Sequence, residues 1–145
     1  MNPRQTAALA LLEMDRREGY SNLTLEPRLQ RAGFSPQDRA FCSALFYGVL
    51  ERRITLDWAI AHYSRTPIQK LEPEVLAALR LGVLQLMEFP SVPPAAAVSQ
   101  SVEVVRSLGK EKAAGFVNGV LRAMAQKACA VPPPKDKLTA LSVEH

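Results

Sequence analysis

The chain has 145 residues, 48% of them hydrophobic and 22% charged, with a net charge of +4 and an isoelectric point near 9.3. A single domain of this size buries roughly 68–70% of its unfolded surface, enough for a core without a disulfide or structural metal. The basic excess is spread evenly rather than gathered in a tail, so it permits an anionic partner without demanding one.

The opening MNPRQTAALALLEMDRREG predicts a helix, with Asn2 as N-cap, Pro3 at the first helical position and Gly19 as the stop. Ala8, Leu11 and Leu12 make its apolar stripe. Arg4 lies in its first turn, where a cation opposes the helix dipole. SNLTLEPRLQRAG predicts a short helical piece broken by Pro27 and closed by Gly33, with Leu23, Leu25 and Leu29 toward a core and Arg28 and Arg31 toward water. Ser35-Pro36-Gln37-Asp38 has the form of a helix start, with Ser35 capping and Pro36 in first position. The helix that follows places Phe41, Leu45, Gly48 and Val49 on one side. Thr55 is expected to cap a further helix carrying Leu56, Ile60 and Tyr63, closed by Pro67.

Leu71 to Phe89 is the most apolar element. Val75, Leu76, Leu79, Val83, Leu86 and Met87 cover well over a third of its circumference, which predicts a helix at the centre of a bundle. Pro90, Pro93 and Pro94 form a rigid connection to a helix over Ala96 to Leu108, with Val98, Val102 and Val105 inward and Gly109 just past its end. In Ala113 to Ala125, AAGFVNGVLRAMA, the residues Phe116, Val117, Val120, Leu121 and Met124 share one helical face and read as core. Gly115 and Gly119 are expected to let another helix approach closely. Asn118 is expected to tie this helix to a neighbouring loop by a buried hydrogen bond, and Arg122 lies on its polar edge. After Ala128 the pattern ends, and VPPPKDK reads as a stiff, polyproline-like linker. The expected division is a helical domain over residues 1–129 and a linker over 130–145. With no convincing strand and no repeat at a fixed period, the fold class is all-α, with about seven helices.

Catalytic constellations are missing from the sequence. His62 and His145 have no metal-ligand spacing, and there is no GxGxxG after a strand, no phosphate-binding GxxxxGK[ST] loop and no GxSxG elbow. Cys42 and Cys129 stand far apart with no CxxC and suit buried thiols in a reducing cytoplasm. No apolar run approaches the ~20 residues that span a bilayer, and no signal-peptide pattern opens the chain. The expectation is therefore a cytoplasmic, non-catalytic chain with no membrane partner and no metal. Arginines remain: Arg4, Arg16, Arg17, Arg28, Arg31, Arg39, Arg52, Arg53, Arg80, Arg106 and Arg122. Arginine is favoured where bidentate contact to phosphate is wanted, although most of these are expected to pair with acids or solvate helix faces. Aromatics that could stack bases, Tyr20, Phe34 and Phe89, are few.

Several segments together resemble one family. DRAFCSALFYGVL, LDWAI, LRLGVLQL, VPPAAAVSQSVEVV and GFVNGVLR occur in the order and spacing of the NusB-like domain, over roughly Asn2 to Ala128. Such domains form the transcription antitermination factor NusB and the N-terminal part of the Sun/Fmu (RsmB) family of ribosomal RNA cytosine-5 methyltransferases. The resemblance implies two small orthogonal three-helix bundles sharing long central helices, and RNA binding. Gln85 in GVLQL and Arg122 in NGVLR match the methyltransferase branch, where the antitermination factor more often carries acids, and LSVEH resembles the segment before the family's catalytic region. The antitermination factor has an arginine-rich opening, whereas here only Arg4 precedes Arg16. The resemblance implies an RNA-binding accessory domain with small-subunit ribosomal RNA and its own C-terminal methyltransferase domain as partners. No cofactor is expected in this chain; S-adenosylmethionine would serve the catalytic domain beyond His145. The alternative is a stand-alone antitermination factor binding RNA and a ribosomal protein. The RNA-binding candidates are Arg4, Arg16, Arg17, Arg39 and Arg122, and the structural candidates are Gly48, Gly115, Phe116, Asn118 and Gly119.

Overall fold

The computed structural model describes residues 1–17 and 21–131 and folds them into seven α-helices. They are α1 (Pro3–Arg17), α2 (Ser21–Ala32), α3 (Pro36–Glu51), α4 (Arg53–Tyr63), α5 (Pro73–Glu88), α6 (Pro94–Ser107) and α7 (Ala114–Gln126). Short 3-10 turns at Ile68–Lys70 and Glu111–Ala113 lead into α5 and α7. No strand occurs among the described residues. The stop expected at Gly19, Tyr20, and the linker expected over 130–145 from Pro132 onward lie outside them.

Local chemistry accounts for several helix ends. Asn2 and Gln5 cap α1 reciprocally: the Gln5 amide donates to Asn2 Oδ1 at 2.8 Å, and the Asn2 amide donates to Gln5 Oε1 at 3.0 Å. Ser35 Oγ accepts the Asp38 amide at 3.1 Å at the start of α3. Gly33 (φ +64°) and Gly109 (φ +82°) leave α2 and α6 in the left-handed region, where a side chain would be strained.

Four local expectations are corrected. Pro27 does not break α2, which runs through it. The one hydrogen bond lost would have ended on the carbonyl of Leu23, a residue 67% exposed, so water can serve that acceptor. Leu23 accordingly faces solvent, and Leu25 and Leu29 carry the apolar contact of α2 with the core. Arg28 is half-buried against Glu13 of α1 at 2.9 Å. Thr55 is not a cap, because only Arg52 separates α3 from α4. The Arg52 amide still donates to Gly48 O, and its carbonyl already accepts from the Leu56 amide, so the backbone bridges the joint itself.

The helices form two small bundles that share α5. Helix α1 packs on α2 and α3, while α6 and α7 pack on each other and on α5, and α4 closes the second group against α5 and α7. Every residue of α5 from Ala77 to Gln85 is buried, which fits a helix apolar on most of its circumference. Two glycines set the spacing around it. A Cβ on Gly48 would lie 2.8 Å from Leu84 Cδ2, and one on Gly82 would lie 2.5 Å from Leu121 Cδ1. The polar groups buried on α5 are partnered: Arg80 Nε and Nη2 each donate to the Asp57 carboxylate of α4 at 2.8 Å, and Gln85 Nε2 donates to Leu81 O at 2.9 Å.

In its packing, the last helix differs from its sequence reading at Gly115, Phe116 and Gly119. Val117, Val120, Leu121 and Met124 are buried, but Phe116 is only half-buried. Its ring shares a surface groove with Tyr63, Arg65, Gly115 and Gly119. Those glycines do not admit a neighbouring helix, since a Cβ at either would meet nothing within 4 Å. With no side chain on either flank, the Phe116 ring stays partly uncovered. Phe116→Ala is therefore expected to cost about 1–2 kcal/mol, less than the roughly 3–5 kcal/mol of a fully buried ring. A chemical-denaturation loss above 3 kcal/mol would place the ring in the core after all. Beyond α7, the Tyr63 hydroxyl donates to Ala130 O at 2.6 Å and ties the end of the described chain to α4.

Candidate nucleic-acid interface

The arginines separate by what they touch. Arg28 pairs with Glu13, Arg39 with Glu26, Arg52 with Glu88, Arg53 with Asp15, Arg80 with Asp57, and Arg106 with Glu103 and Glu111. Of the five sequence candidates, Arg39 is thus neutralised. Arg16 is exposed with no partner among the described residues. Arg17 ends α1, and its side chain lies outside the description.

Arg4 and Arg122 also lack a carboxylate partner among the described residues, and they sit in different settings. Arg122 is exposed on α7 with no hydrogen bond or ion pair among the described residues. It lines a groove of about 460 Å³ between α6 and α7, together with Asn118, Pro94, Ala95 and Ser99. Asn118 does not tie α7 to a loop. It is half-buried, its amide has no partner among the described residues, and it faces the groove beside Arg122 four residues on. Pro94 and Ala95 open α6, which no side chain caps, so the positive end of that helix dipole borders the same groove.

Arg4 is half-buried where three helices meet. Its Nε donates to Gln85 Oε1 at 2.7 Å, and its guanidinium carbon lies 5.0 Å from the centre of the Phe41 ring. Phe89, just past α5, meets Phe41 edge-on with ring centres 5.9 Å apart. No carboxylate contacts Arg4 among the described residues, and burial pushes its pKa down from the ordinary arginine value. A cation in the first turn of a helix, half-desolvated and without a counter-ion, is destabilising by itself. Sequence reading singled out Arg4 and Gln85 separately and had no means to join residues so far apart. It also passed over Arg65, an exposed arginine at the Phe116 groove.

Nucleophilic and metal chemistry find little here. Burial holds the Cys42 thiol at about 11 and pushes Cys129 upward too, so both are protonated at neutral pH. Among the described residues no group of three His, Cys, Asp or Glu side chains could hold a metal ion, and no helix is long and apolar enough to cross a membrane.

A helical domain wrapped round one buried helix, with uncompensated arginines at its surface, is the class these features define. Residues 1–126 match the NusB family, and the chain belongs to it. A relative from Thermus thermophilus, ribosomal RNA small subunit methyltransferase B, is 39% identical over 125 residues, which are 86% of this chain and 30% of that protein. One from Synechocystis, named "Probable ribosomal RNA small subunit methyltransferase B", is 37% identical over 84% of this chain and 27% of its own length. The chain thus spans under a third of these methyltransferase relatives. The transcription antitermination protein NusB of Ralstonia pickettii is 33% identical over 74% of this chain and 70% of that protein. Among solved structures, antitermination factors NusB and NusE in complex with dsRNA match with a TM-score of 0.78 at 26% identity, covering 86% of this chain and 94% of the matched one.

Proposed function

We propose that this chain is the RNA-binding accessory domain of an S-adenosylmethionine-dependent ribosomal RNA cytosine-5 methyltransferase, working in the cytoplasm. The observation that carries the RNA part is the contrast among the arginines: six are neutralised by carboxylates, while Arg4, Arg16, Arg31, Arg65 and Arg122 have no carboxylate partner among the described residues. Of these, Arg4 is half-buried and Arg122 lines the α6–α7 groove. Phosphate contact would supply the missing counter-charge. The matched structure that contains dsRNA supports the same reading. The methyltransferase part is supported by relatives of 37–39% identity that share most of this chain. In such a parent, the domain would engage small-subunit ribosomal RNA and dock on a C-terminal catalytic domain, where the cofactor would bind. A second reading, a stand-alone antitermination factor, is favoured by the Ralstonia pickettii protein, of which this chain covers 70%.

The test has two arms. Fluorescence anisotropy with a small-subunit ribosomal RNA fragment is expected to show binding that weakens as salt rises. Arg4→Ala combined with Arg122→Glu is expected to weaken it about tenfold at low salt and to flatten the salt dependence, with cooperative unfolding retained. Unchanged affinity would remove both residues from the site. The natural reading frame separates the two functions: continuation into a cysteine-bearing methyltransferase domain supports the first, and a stop near His145 supports the second.

A further inference from the structure

The contact between Arg4 and Gln85 does more than fill space. Gln85 is 1% exposed, and both ends of its amide are engaged. Nε2 donates to Leu81 O within α5, which leaves Oε1 as the acceptor for Arg4 Nε. The opposite amide orientation would set an NH₂ group against Arg4 Nε–H, donor against donor, and would face Leu81 O with another acceptor. The orientation is therefore fixed by its partners. Phe41 supports the guanidinium from one face. The two terminal nitrogens of Arg4 have no partner among the described residues, and neither is both buried and unbonded, so they open to solvent.

The partner holding Arg4 is an amide rather than a carboxylate. A glutamate of the same shape could accept the same Nε–H, but it would cancel the charge. Glu88, on the next turn of α5, is already engaged by Arg52. Arg4 is thus oriented without being neutralised.

We propose that Gln85 is a positioning residue for RNA: its neutral amide holds the Arg4 guanidinium on Phe41 with its charge intact, so that the two outer nitrogens form a fork for one backbone phosphate. This inference rests on the RNA-binding reading above. A planar guanidinium with one edge pinned and the other open matches the two oxygens of a phosphate, and pinning it beforehand lowers the entropy lost on binding.

The test compares wild type, Gln85→Glu and Gln85→Met in the intact chain, titrated with a small-subunit ribosomal RNA fragment over a range of salt concentrations. Gln85→Glu is expected to weaken binding about tenfold at low salt and to reduce the salt slope by about 1, since one phosphate contact loses its charge. Gln85→Met, which frees Arg4 but leaves its charge, is expected to weaken binding about threefold with the slope unchanged. Placing Gln85→Glu in an Arg4→Ala background is expected to add little further loss. If wild type binds and Gln85→Glu binds equally well with the same slope, the role of Gln85 is overturned while the RNA reading stands. If wild type itself does not bind at low salt, both fall. Should Gln85→Glu fail to fold, the wild type still decides by NMR. A sharp, exchange-protected Arg4 Nε–H in the free protein, with its Nη resonances moving on RNA addition, supports the proposal. A fast-exchanging Nε–H overturns it.

Discussion

Replacing Asp57 with alanine is expected to lower the unfolding free energy by about 3 kcal/mol, measured by urea denaturation. Arg80 and Asp57 make a two-pronged pair between α5 and α4, with both N–H···O distances at 2.8 Å. The pair is unequally buried: the Arg80 side chain is 10% exposed and the Asp57 side chain 27%. Loss of the carboxylate would strand a guanidinium in the central helix, where water cannot replace its partner. The reverse change, Arg80→Met, leaves an aspartate that water can reach, so a loss of only about 1 kcal/mol is expected. Combining the two should return stability to within about 1 kcal/mol of wild type, because an apolar side chain of similar length then fills the slot with no charge to satisfy. A loss below 1 kcal/mol for Asp57→Ala, or a double variant worse than both singles, would show that this pair is not what holds α4 to α5.

Features set by neighbouring residues were legible in the sequence. Asn2 and Pro3 at the start of α1, Ser35 and Pro36 at the start of α3, and Gly33 and Gly109 at helix ends follow from hydrogen-bonding capacity or φ freedom within a few residues. The central place of α5 was legible for a related reason, since a helix apolar round most of its surface needs neighbours on several sides. What could not be read depends on packing between distant segments. Leu23 has the right spacing to face a core but lies where no helix covers it, and Pro27 is tolerated because the carbonyl it leaves unbonded is on that exposed side. Phe116 has core spacing, yet two bare glycines beside it leave part of its ring uncovered.

The candidate interface shows the same division more sharply. The sequence exposes the chemical type of each arginine, but counter-charge depends on acids brought close by the fold. Arg39 and Arg4 look alike in sequence; one meets Glu26 and the other meets only an amide and an aromatic ring. The resemblance to the NusB-like domain narrowed the function further than charge could, and the match over residues 1–126 carries that family assignment. It does not choose among arginines. Their partners do.

Glycine substitutions give the second large expected effect, and its sign changes with position. Gly82→Ala is expected to destabilise by about 2 kcal/mol, although alanine is the better helix former by roughly 1 kcal/mol. The new methyl would lie 2.5 Å from Leu121 Cδ1 and 2.8 Å from Ser101 Oγ, both fixed in the interface where α5, α6 and α7 meet. Leu121 is fully buried, so its side chain or the helix that carries it must shift within a close-packed interface to admit the methyl. Ser101 sharpens the test, because its buried hydroxyl has no hydrogen-bond partner among the described residues. Ser101→Ala alone should stabilise by up to about 1 kcal/mol. In that background the cost of Gly82→Ala should fall by about 0.5–1 kcal/mol, since one of the two clashes is gone. At Gly115 and Gly119 the same change meets open space, so alanine should stabilise α7 by roughly 0.5–1 kcal/mol at each. Thermal and urea unfolding of the four single variants decide the matter. Equal effects at Gly82 and Gly115 would mean that close approach of α6 and α7 to α5 does not depend on the missing side chain.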